Sequence, residues 1–300
     1  MDKTFTELHN VNILGSGQET IVLGHGFGSD QTCWRHLVPH LVKHYRVVLF
    51  DMVGAGKSDF SYFSFSRHGT LHGFADDLLN ILDELEIDSC IYVGHSVSGM
   101  VGMLASIEQP QLFQRIVAMM SSPRYLDEPA SGYIGGFCQD DLNQLFQAMQ
   151  QNFFAWVSGF APLAIDGDVE SEAVQEFSRT LFSMRPDIAL ATAKAIFQSD
   201  CRSVLPLVTC PVHLLHSTKD YAVPGYVGHY MQAKLYNSAS LHMEFMPTYG
   251  HLPHIKMPGV VNPYLLRHIW MKYDEEKGQE VQGRVPHRQF GADDVAADHH

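Results

Sequence analysis

Basic side chains are scarce: Lys and Arg number 20 against 33 Asp and Glu, a formal charge of −13 over 300 residues. No basic cluster stands ready to neutralise phosphates, so no nucleic-acid partner is expected. Long apolar runs are missing too. The start, Met1-Asp2-Lys3-Thr4-Phe5-Thr6-Glu7, has no apolar signal segment, and no stretch approaches a membrane span, so no membrane association is expected. Cysteines number 5 (33, 90, 138, 201, 210), an odd set without a C-x-x-C pair, which reads as a reduced, intracellular protein. There is no H-E-x-x-H; His68 and His72, at helical spacing, read as a solvated face, and neither metal nor cofactor is expected. Gly54-Ala55-Gly56-Lys57-Ser58 resembles the end of a phosphate loop, but the first glycine would fall at Asp51. Gly24-His25-Gly26 lacks the third glycine of a dinucleotide fingerprint, which would be Ser29. No repeats are present.

What remains is a chain 45% apolar, enough for one large α/β domain with a substantial core and an insertion. Strand-like runs at about 20–24, 46–50, 90–94, 116–120, 212–216 and 241–246 alternate with helical stretches. One helix, around Phe74–Leu85, shows its core stripe in Leu78, Ile81, Leu82 and Leu85. Such alternation predicts a mainly parallel sheet covered on both faces. The gap between the fourth and fifth runs is far too long for a loop. Helical patterns fill it at Asp140–Gln151, Glu170–Ser183 and Pro186–Gln198, predicting a helical lid over 126–197 inserted between core segments 1–125 and 198–271. Residues 137–197 hold 8 of the 18 phenylalanines, plus Trp156. Phe146, Phe153 and Phe182 read as the lid's own core, and the others as the roof of an apolar pocket. The polar segment 272–300 has little to bury and is expected to be a disordered tail.

Within this frame the chemistry concentrates at Val93-Gly94-His95-Ser96-Val97-Ser98-Gly99, between the run Cys90–Val93 and a helix-like segment from Gly99 to Ile107. A sharp strand-to-helix turn exposes the Ser96 hydroxyl and makes it a candidate nucleophile. The usual pattern is G-x-S-x-G; here Ser98 holds the last position and the steric logic of small residues survives. A neutral hydroxyl needs a base, and the base an orienting acid, in chain order Ser…Asp/Glu…His. Asp220 follows the strand-like run at 212–216, and His251 follows the run at 241–246. They are assigned as acid and base; the competing readings are a turn aspartate ahead of Pro224 and a solvated loop histidine. Backbone N–H groups of Phe27 and Val97 are the expected oxyanion donors. His25 reads as a structural hydrogen-bonder under the Gly24–Gly28 loop. The fold class is therefore an α/β-hydrolase fold, with a mainly parallel sheet flanked by helices and an inserted four-helix lid.

Several segments carry a closer likeness: Ile21–Gly28, Tyr92–Ser98, Ser121–Tyr125, Gly159–Ala164 and the long Val174–Asp187. Across about residues 7–270 the chain resembles the plant karrikin and strigolactone receptors, most strongly the karrikin-insensitive type. The lid segments are the specific part, since many hydrolases share the Ser-His-Asp elements. The resemblance implies a receptor that is also a slow hydrolase, with Ser96, Asp220 and His251 matching the family triad. It implies attack on the lactone carbonyl of a butenolide carried through an enol ether, with the ring retained on the histidine. It further implies lid rearrangement, recruitment of an F-box subunit of a ubiquitin ligase and Clp-like repressor proteins, and a cytoplasmic and nuclear location. Pocket positions that carry over are Phe27, Val97, Tyr125, Phe137, Leu145 and Trp156, with Phe160, Ala164, Phe177, Ile196 and Phe197. The sequence departs from the family at Tyr221, a pocket-mouth position where leucine is usual. It departs also around Asn237–His242, in the longer loop Glu128–Gly136, and after Ile269, as a divergent karrikin-type paralogue would. An ordinary esterase or lactonase without a signalling role, and a binding module with a vestigial triad, are the competing functions.

Overall fold

β-branched and aromatic runs form the strands and amphipathic stretches the helices that cover them. The computed structural model describes residues 3–274 and 279–282. In chain order, the first part comprises α1 (Phe5–Leu8), β1 (Asn12–Leu14), β2 (Glu19–Gly24), α2 (Val38–Leu41) and β3 (Tyr45–Leu49). It continues through α3 (Leu71–Glu84), β4 (Cys90–His95), α4 (Val97–Glu108) and β5 (Phe113–Met119). Four helices then follow without a strand: α5 (Gln139–Gln151), α6 (Phe153–Ile165), α7 (Glu172–Phe182) and α8 (Pro186–Phe197). The chain returns to the sheet with β6 (Val212–Lys219), α9 (Gly225–Lys234), β7 (Leu241–Tyr249), α10 (Pro253–Lys256) and α11 (Pro258–Trp270). Last come β8 (Met271–Asp274) and β9 (Gln279–Gln282).

The sheet runs β1-β3-β2-β4-β5-β6-β7, with β1 antiparallel to β3 and every other pairing parallel. Parallel pairing points the carboxyl ends of β2, β4, β6 and β7 to one edge. From β2 the chain steps outward to β3 and then back to β4, so the order reverses between β2 and β4. A crevice opens outside the strand ends at such a reversal. The sheet interior is apolar on both faces, as Ile21, Val22, Val47, Val48, Tyr92 and Val117 show. On α3 the stripe Leu71, Phe74, Leu78, Ile81 and Leu82 is buried, while Leu85 is the half-buried C-cap.

The structure adds a strand β1, moves His68 off a solvated face, and places part of the C-terminal segment on a ribbon. β1 had not been expected: its Asn12, Ile13 and Leu14 are all exposed, so pairing with β3 and not burial makes it a strand. His68 is not on a solvated face. It precedes α3 and is fully buried, accepting from the Ser64 N–H at Nδ1 (3.0 Å) and donating from Nε2 to Asp77 (3.0 Å); His72 alone is exposed. The segment 272–300, expected to be disordered, falls partly on the antiparallel β8–β9 ribbon, with Lys272 opposite Val281. Its remaining residues lie outside those described.

Candidate active site

Ser96 joins β4 to α4 with φ 55° and ψ −121°, a left-handed conformation that side chains rarely adopt. Close packing enforces it. A Cβ on Gly94 would come within 2.6 Å of the Gly99 nitrogen, and one on Gly99 within 2.0 Å of Ser121 Oγ. The Ser96 N–H donates to Met119 C=O (2.7 Å), pinning the turn to β5. Ser98, which fills the usual glycine position, donates its hydroxyl to His25 C=O. The serine therefore ties this turn to the loop after β2.

His251 lies two residues beyond β7, and Asp220 directly follows β6. His251 Nε2 is 2.8 Å from Ser96 Oγ, and its Nδ1 is 2.8 Å from Asp220 Oδ2. A carboxylate only accepts, so Nδ1 carries the proton and Nε2 accepts from the serine hydroxyl. The second carboxylate oxygen, Oδ1, accepts from Ala222 N–H (2.8 Å) and Val223 N–H (3.2 Å), and the Asp220 side chain is fully shielded. The structure thus brings the three sequence-assigned side chains into one hydrogen-bonded relay, the arrangement that activates a hydroxyl and stabilises the imidazolium it creates.

The expected oxyanion donors, Phe27 and Val97, approach the serine from two sides. Val97 opens α4, so its N–H has no intrahelical partner. The Gly24–Gly28 loop passes so close that a Cβ on Gly26 would lie 3.2 Å from Ser96 Cβ, placing Phe27 at the serine. His25 lies buried under the loop, where Nε2 accepts from Met52 N–H (2.9 Å) and Nδ1 donates to Gly26 C=O (2.9 Å). It does not reach the relay.

The sequence-assigned pocket residues divide between two spaces. A chamber of about 30 Å³ sits directly on Ser96 and His251, walled by Phe27, Tyr125, Ala164, Phe177 and Ile196. A wider space of about 380 Å³ lies outside it, lined by Phe137, Leu145 and Trp156. Phe160, Phe197, Tyr221 and Ala222 border both and form the partition. Aromatic packing stiffens the roof: Trp156 stacks on Phe160 at 4.8 Å, Tyr125 meets Phe197 edge-on at 5.0 Å, and Phe137 meets Tyr221 edge-on at 5.8 Å. Burial pushes the Tyr125 phenol above its ordinary range, with the Ser96 side chain acting the other way, so the phenol stays neutral. Val97 contributes backbone and does not wall the chamber.

Sequence reasoning missed Leu252 and Ala222 as chamber walls, although each directly follows a residue it had singled out. It also missed the polar rim of the outer space, Asp141 and Gln144 on α5, which no local pattern marked.

Comparison with known proteins places this geometry in context. Residues 19–258 match the family model for the alpha/beta hydrolase fold. The chain is 56% identical over 263 residues to karrikin insensitive 2 receptor CA of Petunia hybrida, spanning 88% of this chain and 96% of the relative. It is 45% identical over 261 residues to strigolactone esterase D14 of Arabidopsis thaliana, spanning 87% and 96%. Among solved structures, a hydrolase from Oleispira antarctica superposes with a TM-score of 0.84 at 35% identity, over 88% of this chain and 96% of that one.

Proposed function

Because the chain belongs to the karrikin-receptor and strigolactone-esterase family of α/β-hydrolases, we propose that it is a receptor-type serine hydrolase that binds and slowly cleaves a butenolide signal. In this reading the Ser96 hydroxyl attacks the lactone or ester carbonyl as its proton passes to His251 Nε2. Phe27 and Val97 N–H groups hold the oxyanion. His251 returns the proton to the departing oxygen, leaving an acyl group on Ser96, and water then releases the acid by the same route. Asp220 keeps the imidazole in the tautomer that can do this.

One observation carries the receptor side of the proposal. The chamber over Ser96 measures about 30 Å³, space for roughly one or two water molecules. A lactone ring needs more room than that, so binding is expected to shift residues that border both the chamber and the outer space, Phe160, Phe197, Tyr221 or Ala222. A ligand therefore binds a lid state other than this one, and that difference in affinity is what shifts a conformational equilibrium. Partner proteins, an F-box subunit of a ubiquitin ligase and Clp-like repressors, would read the shifted lid, in cytoplasm and nucleus. The second reading is a turnover esterase or lactonase, favoured by the complete relay and the roomy outer space.

Turnover separates the two. The full chain is incubated with a synthetic butenolide enol ether, and product is counted while intact-protein mass spectrometry and peptide mapping follow covalent species. The receptor reading expects on the order of a few turnovers per hour, far below the usual roughly 1–10³ s⁻¹, with a ring-sized adduct on His251. The adduct forms when Nε2, 2.8 Å from Ser96 Oγ, takes the acyl carbon and Oγ leaves as the protonated hydroxyl before water can release the acid. Rapid turnover without adduct would overturn it in favour of the plain enzyme.

A further inference from the structure

Beneath His251 lies a row of rings that no chemical step uses. His251, His95, His254 and Trp34 follow one another with centroid separations of 5.1, 4.5 and 5.0 Å. His95 ends β4, directly before Ser96, and is buried. Its Nε2 lies 2.7 Å from the backbone carbonyl oxygen of His251. A carbonyl only accepts, so His95 carries its proton on Nε2 and donates. Nδ1 is then a bare acceptor with no hydrogen-bond partner among the described residues. It faces Gly26, where an added Cβ would come within 2.5 Å. Gly26 directly precedes Phe27, whose N–H is assigned to the oxyanion. Burial, followed by the neighbouring His254 and His251, holds His95 well below the ordinary histidine range, so it stays neutral.

We propose that His95 is a positioning residue for hydrolysis: one imidazole fixes the backbone of the catalytic base and seats the oxyanion loop. The His251 backbone is gripped from both directions. Its N–H donates to Ala164 C=O (2.7 Å) at the end of α6, and its C=O accepts from His95 (2.7 Å). With the peptide held on either side, rotation of the side chain alone brings Nε2 to Ser96 and Nδ1 to Asp220. Losing the His95 grip frees one side. The base then moves off line while the substrate-binding walls remain in place, and a misplacement of about 1 Å costs about 100-fold in rate. The bland alternative is that His95 only fills space between Gly26 and His254.

Substitutions in the full chain distinguish the two, assayed on a small aryl acetate ester. His95→Phe keeps a buried ring but has no donor; His95→Gln offers an amide N–H at about the Nε2 position. His254→Phe is the packing control, because His254 makes no hydrogen bond among the described residues. His95→Phe is expected to lower kcat by about 10–100-fold, with KM within about three-fold and a displaced acid limb of the kcat/KM profile. His95→Gln recovers most of the rate, and His254→Phe stays near the parent. The low-field Nδ1–H proton resonance of His251 should broaden or vanish in His95→Phe and persist in the other two. If His95→Phe does not fold, His95→Asn replaces it: it buries a similar amide, but its shorter side chain falls short of the carbonyl. Equal activity and an unmoved His251 resonance in the donor-lacking variant, or equal impairment of the donor-bearing and donor-lacking ones, would reduce His95 to packing and overturn the proposal.

Discussion

Ser98 stands where this class of turn usually has glycine, and its hydroxyl has a specific partner. It donates to His25 C=O, and His25 in turn bridges Met52 and Gly26. Ser98→Ala leaves that buried carbonyl without its donor, a loss of about 1–3 kcal/mol, readable as a lower urea midpoint with an unchanged slope. A midpoint equal to the parent would mean that the carbonyl finds another donor. Ser96→Ala removes the nucleophile from a relay that acts as a unit, so kcat is expected to fall by about 10⁴-fold or more. The folded state persists and ligand binding can be scored by thermal shift; retained hydrolysis would refute the nucleophile assignment. Tyr221 borders both spaces and leans edge-on against Phe137. Tyr221→Leu trims that partition, so the preference for bulky over compact leaving groups should change by about 3–10-fold in kcat/KM. The relay was legible in the sequence because Ser96, Asp220 and His251 each follow a strand end within a residue or two. His68 was not legible: its i, i+4 spacing to His72 imitates a helix, but α3 starts only at Leu71.

At the scale of elements, the end of α6 is locked onto the loop that carries the base. Gly250 has φ +84°, and a Cβ there would approach Ile165 C=O to 2.3 Å. The next residue donates to Ala164 C=O, while Lys219 Nζ reaches Asp166 at 3.1 Å and Lys256 donates to Asp166 C=O. Gly250→Ala combines an unfavourable backbone region with a clash against the lid, so we expect roughly 1–3 kcal/mol of destabilisation together with slower hydrolysis. A variant that loses stability but keeps its rate would show that α6 and the base loop are not coupled. Of the four lid helices, α5, α7 and α8 were readable because Leu142, Phe146 and Met149, or Val174, Phe177 and Leu181, recur at helical spacing on one buried face. α6 was not. Phe153, Phe154, Trp156, Val157, Phe160 and Leu163 leave it apolar all round, with Pro162 inside it and Phe154 and Leu163 exposed. A helix that is both lid core and pocket roof shows no polar face for a period to register against. The division of the pocket into two spaces was equally hidden, because Phe160, Phe197 and Tyr221 converge from three separate elements.

For the whole molecule, two acid responses oppose each other. The formal charge of −13 and the isoelectric point near 5.7 mean that acidification relieves self-repulsion, which taken alone would stabilise the fold toward pH 5–6. Buried histidines act the other way. Burial lowers His216 to about 4 and His254 to about 3, and His95 lies well below 6.5. In the unfolded chain these side chains titrate near 6.5. Below that value the unfolded state takes up protons that the folded state refuses, so the stability from these groups is complete above about pH 6.5 and declines as pH falls toward their folded values. For His216 and His254 the loss is about 1.4 kcal/mol per pH unit in that window, and His95 acts in the same direction. Against the stability of an ordinary domain, about 5–15 kcal/mol, a loss of this kind at several buried rings is sizeable. Relief among solvent-exposed charges is screened and far smaller. Urea unfolding at pH 7.5 and 5.0 should therefore show a large fall in midpoint at the lower pH. His254→Phe should shrink that fall by one group's share, since a phenyl ring takes up no proton in either state. A midpoint that holds or rises toward pH 5 would mean that these rings gain protons without unfolding, and that the neutral packing beneath the relay is not what ties this fold to neutral pH.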